Sequence, residues 1–174
     1  MKLILLCSFL LLTWHLGVSQ DTDGNNFKFD RLNAVEFNLG GHGIYYSFGV
    51  ERIIVNKFRY KLSAKINVAY YPYSLNIAQS LWIPCTANNM ISFGKHHAEF
   101  GAGLLVSRDH LFRNNNSNDL NKTWEKYGIF SLGYRHQSNN RRLFYKVLFT
   151  PVIELSNECK EMYPLAAATI GYSF

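Results

Sequence analysis

Hydrophobic and polar residues alternate with a period of two along most of the chain. Residues 58–71 carry the pattern most cleanly: Tyr60, Leu62, Ala64, Ile66, Val68 and Tyr70 fall on one face, and Arg59, Lys61, Ser63, Lys65, Asn67 and Ala69 on the other. Successive side chains of a strand point to opposite faces, whereas a helix would scatter these two sets around its axis, so the segment reads as a strand. The same alternation runs through residues 33–40, 44–53, 97–107, 126–135, 141–150 and 165–174. Residues 85–94, which follow Pro84, are the weakest case and rest on the register of their neighbours. Eight strands are predicted, and no window of comparable length repeats at 3.6.

Eight alternating strands suit two opposite solutions. A soluble lipocalin-like carrier turns its apolar face inward around a ligand, whereas an outer-membrane barrel turns it toward lipid and its charged face inward. Several features favour the second. Strand lengths lie near the roughly 9–11 residues that cross a bilayer when tilted. Connections alternate: those near 54–57, 94–97 and 136–140 are short, those near 72–84, 108–123 and 155–163 are long, and only the hairpin Gly40-Gly41-His42-Gly43 breaks the rule. Tyr46, Tyr60, Tyr70, Trp124, Tyr134 and Tyr172 collect toward strand ends on the apolar face, as interfacial aromatic residues do. The last strand alternates to its end at Phe174. The fold class expected is therefore all-β, an eight-stranded antiparallel up-and-down transmembrane β-barrel.

The address supports this. Residues 1–19 hold Lys2, an apolar run from Leu3 to Thr13, and small residues at Gly17 and Ser19 before Gln20, the pattern of a cleaved secretory signal. Removing them takes one charge and leaves 17 basic against 12 acidic residues. Residues 20–31 are polar and expected to form a flexible leader, with the barrel domain over 32–174. No later apolar run reaches the length of about 18 residues that marks a spanning helix. The chain is 48% hydrophobic and 16% aromatic, which excludes disorder. Its formal charge of +6 is dispersed, so nucleic acid is not an expected partner.

With the apolar face outward, the charged face becomes a lumen. It would hold Glu36, Glu51 and Glu99 beside Arg59, Lys61, Lys65, Arg135, Arg142 and Lys146. An eight-stranded barrel is only wide enough for side chains to fill. Buried charges cost several kcal/mol each unless paired, so a salt-bridged interior is expected rather than an open pore. Gly101, Gly103, Gly128, Gly133 and Gly171 are expected to leave room for the long side chains.

The strings NLGGHGIYYSFGVER (38–52), FGKHHAEFGAGL (93–104), GYRHQ (133–137), FTPVI (149–153) and the terminal YPLAAATIGYSF resemble a family of small outer-membrane β-barrel proteins common in Bacteroidetes. That resemblance implies location in the cell outer membrane and insertion by the outer-membrane assembly machinery, which reads a C-terminal aromatic signal, here Tyr172 and Phe174. The family's role is largely uncharacterised, and no functional residue carries over.

Chemistry-bearing groups are few. His96-His97-x-Glu99 places His97 and Glu99 on one face, but a zinc site needs further ligands. The plainer reading has Glu99 hold a lumenal cation and His97 bond a turn carbonyl. Ser107 with Asp109 and His110, or Ser156 with Glu154, could serve a lipid A hydrolase or acyltransferase. No phosphate-binding loop, CxxC pair or nucleophile elbow occurs. Cys85 and Cys159 could pair after export or remain free thiols. In the Asn-rich loop 109–123, Leu111 and Phe112 could grip a partner or a membrane surface. The expected protein is a non-enzymatic, monomeric outer-membrane barrel without metal or cofactor. Its expected partners are outer-membrane lipid, the assembly machinery and an unknown extracellular ligand. The lipid-modifying enzyme and the secreted lipocalin-like carrier are the alternatives.

Overall fold

The computed structural model describes residues 28–71, 80–108, 124–138, 141–155 and 162–174. The expected signal segment and most of the expected leader therefore lie outside the described residues. Ten strand segments, all antiparallel, build one sheet: β1 (Asn33–Gly40), β2 (Tyr46–Asn56), β3 (Tyr60–Tyr71), β4 (Ser80–Phe93), β5 (His96–Arg108), β6 (Trp124–Gln137), β7 (Leu143–Phe149), β8 (Val152–Glu154), β9 (Met162–Tyr163) and β10 (Ala166–Ser173). The hydrogen-bonded order β5-β4-β3-β2-β1-β10-β7-β6 is closed by pairing of β5 with β6. Closure gives each of the long strands a neighbour on both sides, so most backbone groups between the rims have a strand partner.

The ten segments make eight staves. β6 pairs with β7 and then with β8, so β7 and β8 are one stave interrupted at Thr150 and Pro151. Val152 pairs with Tyr163 and Phe149 with Ala166, which sets Pro151 opposite Pro164 and makes β9 and β10 a second interrupted stave. Proline donates no ladder hydrogen bond, and two of them facing each other break the pairing locally. Thr150 N–H bonds the Leu165 carbonyl at 2.7 Å and carries the contact across the gap.

β4 is longer than its pattern suggested. It begins at Ser80 and contains Pro84, with unbroken pairing to β5 from Leu81–Arg108 to Phe93–His96. The ladder to β3 lapses between Ile66–Cys85 and Ala69–Trp82, the stretch that includes Pro84. Its missing donor falls on that side, so the strand survives through its other neighbour.

The faces are sorted as the alternation requires. Outside stand Ile66 (51% exposed), Leu132 (63%) and Val147 (64%), while Lys61 is fully enclosed. The lipocalin-like alternative, which needs the apolar set inside, is overturned by this arrangement.

Two short segments enter the barrel mouth at opposite ends. The hairpin after β1 is a 3-10 turn, Gly41–Gly43, whose three residues are all buried. His42 Nε2 lies 2.9 Å from the Phe130 carbonyl oxygen on the far side of the barrel. Gly40 and Gly41 have φ of 76° and 69°, and a Cβ on Gly40 would lie 2.4 Å from the Ala166 carbonyl oxygen. Only glycine tolerates both demands. This hairpin departs from the long-loop rule because it folds into the lumen. At the other rim, Phe29, within the segment expected to be a loose leader, is only 4% exposed. Asn56 holds it by two hydrogen bonds, from the Phe29 N–H at 3.2 Å and to its carbonyl at 2.9 Å.

Candidate functional site

The lumen is stacked in layers, and its centre is ionic. Alternation along β1, β2, β3, β5, β6 and β7 sends Glu36, Glu51, Lys65, Glu99, Arg135 and Lys146 inward from six different strands. Lys146 is the hub. Its ammonium lies 2.7 Å from Glu36, 3.2 Å from Glu51 and 3.2 Å from Glu99. Arg135 reaches Glu51 at 2.7 Å and Glu99 at 3.9 Å, and Lys65 reaches Glu36 at 2.7 Å. Three carboxylates thus face three cations in a space where an unmatched charge is costly.

Neutral donors complete the shell. Ser63 Oγ donates to Glu51 at 2.7 Å. Arg135 Nε donates to Gln137 Oε1 at 2.7 Å, and Lys65 Nζ donates to Asn38 Oδ1 at 3.3 Å. Thr169 Oγ1 donates to the same Asn38 oxygen at 2.7 Å.

Toward the rim that bears the chain ends, the network gives way to an aromatic cap. Lys61 Nζ donates to Ser92 Oγ at 2.6 Å and stands 4.6 Å from the centre of the Phe29 ring. Arg135 stacks 4.0 Å from the Phe144 ring centre and 5.5 Å from that of Phe29. Such placements over an aromatic face attract a cation electrostatically. His97, inward on β5, meets Ser92 Oγ at 2.8 Å through Nδ1 and the Gln137 carbonyl oxygen at 3.1 Å through Nε2. With both ring nitrogens engaged, His97 does not join Glu99 in a metal site.

Toward the other rim, the lumen turns apolar. Ala69, Tyr71, Trp82, Leu105, Tyr127, Ile129 and Val152 pack together, with Ile44, Tyr46, Tyr163 and Leu165 against them. Tyr71 donates to the Tyr46 carbonyl at 3.1 Å and accepts from the Tyr45 N–H at 3.3 Å, joining this cluster to the inserted hairpin.

Two of the nine expected lumenal charges lie elsewhere. Arg59 is exposed in the turn before β3, one residue short of the pleat that would aim it inward. Arg142 is exposed just before β7 and bonds the Tyr172 hydroxyl at 2.5 Å. Both precede the first paired residue of their strand, so the period of two does not govern them. The glycines also act differently from expectation. A Cβ on Gly171 would lie 2.1 Å from the Phe144 ring, and one on Gly101 would lie 1.9 Å from Asn88 Oδ1. The room they leave is taken by Phe144 and Asn88, and Phe144 in turn supports Arg135. Gly128 faces outward, between the inward Tyr127 and Ile129.

What sequence reasoning missed are the apolar inward residues: Phe144 and Leu148 on β7, Tyr127 and Ile129 on β6, and Trp82 on β4. For the four on β6 and β7, parity with Arg135 or Lys146 was the available signal. Ser107 is fully buried inside the barrel, and Asp109, His110, Ser156 and the 109–123 loop lie outside the described residues. Cys85 is free and exposed on the outer face of β4, while Cys159 lies outside the described residues. Among the described residues, no three His, Cys, Asp or Glu side chains gather as metal ligands.

No family model matches the chain, and no curated protein matches it. Among solved structures, it is similar to the N-terminal β-barrel domain of Pseudomonas aeruginosa OprF. The TM-score is 0.57 at 13% identity, over 83% of this chain and 98% of that one. This likeness shows the fold, a closed eight-stranded antiparallel barrel. It does not extend to the Bacteroidetes resemblance drawn from the strand and turn strings.

Proposed function

We propose that this chain is an outer-membrane β-barrel whose polar interior is closed, and that it acts as a structural or surface-contact protein rather than as a pore or an enzyme. One observation carries the reading: Lys146 sits within 3.2 Å of all three lumenal glutamates, while the outer face of the same strands is apolar. A soluble barrel has no use for that inversion, and a bilayer requires it. Outward Tyr60, Tyr70, Tyr134 and Tyr172 toward the strand ends suit the headgroup level, where one end of the ring is apolar and the other wet. The similarity to the OprF barrel domain supports the same placement. The Bacteroidetes family remains part of this proposal on the quoted strings.

Closure follows from the stacking. The ion network fills the middle, Phe29 with Ile53 and Met90 fills the rim near the chain ends, and the larger apolar cluster with the inserted hairpin fills the other. A partner would then be met at the rim opposite the chain ends. Tyr172 and Phe174, both outward at the last stave's end, are proposed as the signal read by the assembly machinery. Lipid is the expected environment, no nucleic acid is expected, and a monomer suffices because the long strands close on one another.

The test is fractionation followed by gel mobility with and without boiling, then recording in planar bilayers. Membrane partition, an SDS-resistant fast band and absence of sustained conductance are expected. A soluble chain would overturn the membrane reading, and steady open-channel current would overturn the closed interior.

A further inference from the structure

Outside the barrel, at the rim that bears the chain ends, the first residue of β5 meets the end of β6. His96 and His136 are direct cross-strand partners, and Tyr134 precedes His136 by two residues on the same outer face. The two imidazole centres are 5.3 Å apart, and the His96 and Tyr134 ring centres 5.8 Å. Both histidines turn Nδ1 toward one atom. His96 Nδ1 contacts the Tyr134 hydroxyl, which lies 3.5 Å from His136 Nδ1. Two imidazole nitrogens and a phenol oxygen therefore converge from rigid, fully paired strands. None of the three belongs to the lumenal network.

We propose that His96, Tyr134 and His136 form a surface binding site for a borderline divalent transition metal ion, copper(II) foremost. Metal–nitrogen bonds of about 2.0–2.1 Å bring two donors on one ion to about 3 Å of each other. The spacing of the Tyr134 oxygen and His136 Nδ1 needs only a small side-chain adjustment to reach that. Imidazole suits copper, zinc and nickel, and among first-row divalent ions copper(II) binds a given nitrogen–oxygen site most tightly. Water completes the coordination, since the site is exposed. When Tyr134 ligates as phenolate, its proton leaves to solvent, so one proton is released per ion bound. Adjacent strands fix the donors in advance, which lowers the ordering cost that flexible surface histidines would incur.

The experiment is titration of copper(II) chloride into the full, tag-free chain folded in detergent micelles, followed by calorimetry, electron paramagnetic resonance and visible absorption. One equivalent should bind, with hyperfine coupling from two imidazole nitrogens and a phenolate-to-copper charge-transfer band. His96→Phe and His136→Phe should each weaken binding by more than about 100-fold, beyond the roughly 10–100-fold that loss of an outer-shell partner typically produces. Tyr134→Phe should keep the nitrogen coupling and lose the band. Each variant is checked by gel heat-modifiability. Because all three side chains face outward at a rim, folding does not depend on them. Absence of stoichiometric binding in the parent chain, or undiminished binding in the His96→Phe/His136→Phe double variant, would overturn the site.

Discussion

The middle of the lumen and the mouth opposite the chain ends are equally enclosed, yet they are filled by opposite chemistry. Glu36, Glu51, Glu99, Lys65, Arg135 and Lys146 occupy the middle, and Tyr71, Trp82, Leu105, Ile129 and Val152 occupy the mouth. The apolar cluster is held by non-directional burial, so it tolerates imperfect geometry and loses stability in proportion to what is removed. The ion cluster is held by matched partners, so removing one leaves a buried charge uncompensated. Losing one partner is therefore expected to cost more in the ionic middle than in the apolar mouth.

That contrast can be broken most sharply at Arg135. Arg135→Met leaves Glu51 and Glu99 short of a cation, and a loss of about 3–5 kcal/mol is expected from the buried-pair precedent. Urea unfolding of the micelle-bound barrel measures it, and a change below about 1 kcal/mol, the scale of an exposed ion pair, would mean the network is weakly coupled. The outer face is probed next. Ile66→Arg puts a charge midway along the outer face of β3 and, on the membrane placement proposed above, should destabilise by about 2–4 kcal/mol and impair insertion. Retained assembly with unchanged stability would count against a bilayer around this stave.

A smaller effect is expected at Phe29. A fully enclosed phenylalanine costs about 3–5 kcal/mol when truncated to alanine. Phe29 lies outside any strand and is held at Asn56 by two hydrogen bonds, so Phe29→Ala is expected to fall below that range while admitting water to Lys61 and His97. Hydrogen exchange at the Ser92 and Gln137 amides reads this directly, and unchanged protection would show that the cap is not Phe29. The smallest effect is set for Tyr71→Phe, which removes one hydroxyl from the apolar cluster. Two hydrogen bonds go with it, to the Tyr46 carbonyl and from the Tyr45 N–H, so at about 1 kcal/mol each it should cost about 2 kcal/mol. A loss as large as that of Arg135→Met would erase the distinction between the two layers.

Much of this was legible beforehand because a strand has a period of two. The alternation in 58–71 separates Lys61 and Lys65 from Ile66 without any tertiary information, and the same parity holds for Glu36, Glu51, Glu99, Arg135 and Lys146. Parity fails where pairing ends, which is why Arg59 and Arg142 were misplaced. It also reports only side, not neighbour. Nothing in the sequence joins Lys146 on β7 to Glu51 on β2, 95 residues away. The Gly171 vacancy filled by Phe144 depends on the β7–β10 register, and Phe29 looked like leader because its flanks are polar.

The chain by itself determined strand number, face polarity and the presence of inward charge of both signs, since each follows from local periodicity and residue type. Only closure of the sheet decided which ions meet, which rim turns apolar, and that a hairpin and Phe29 fill the two mouths. Those outcomes depend on strand stagger around a closed ring, a relation between distant segments that local pattern does not encode.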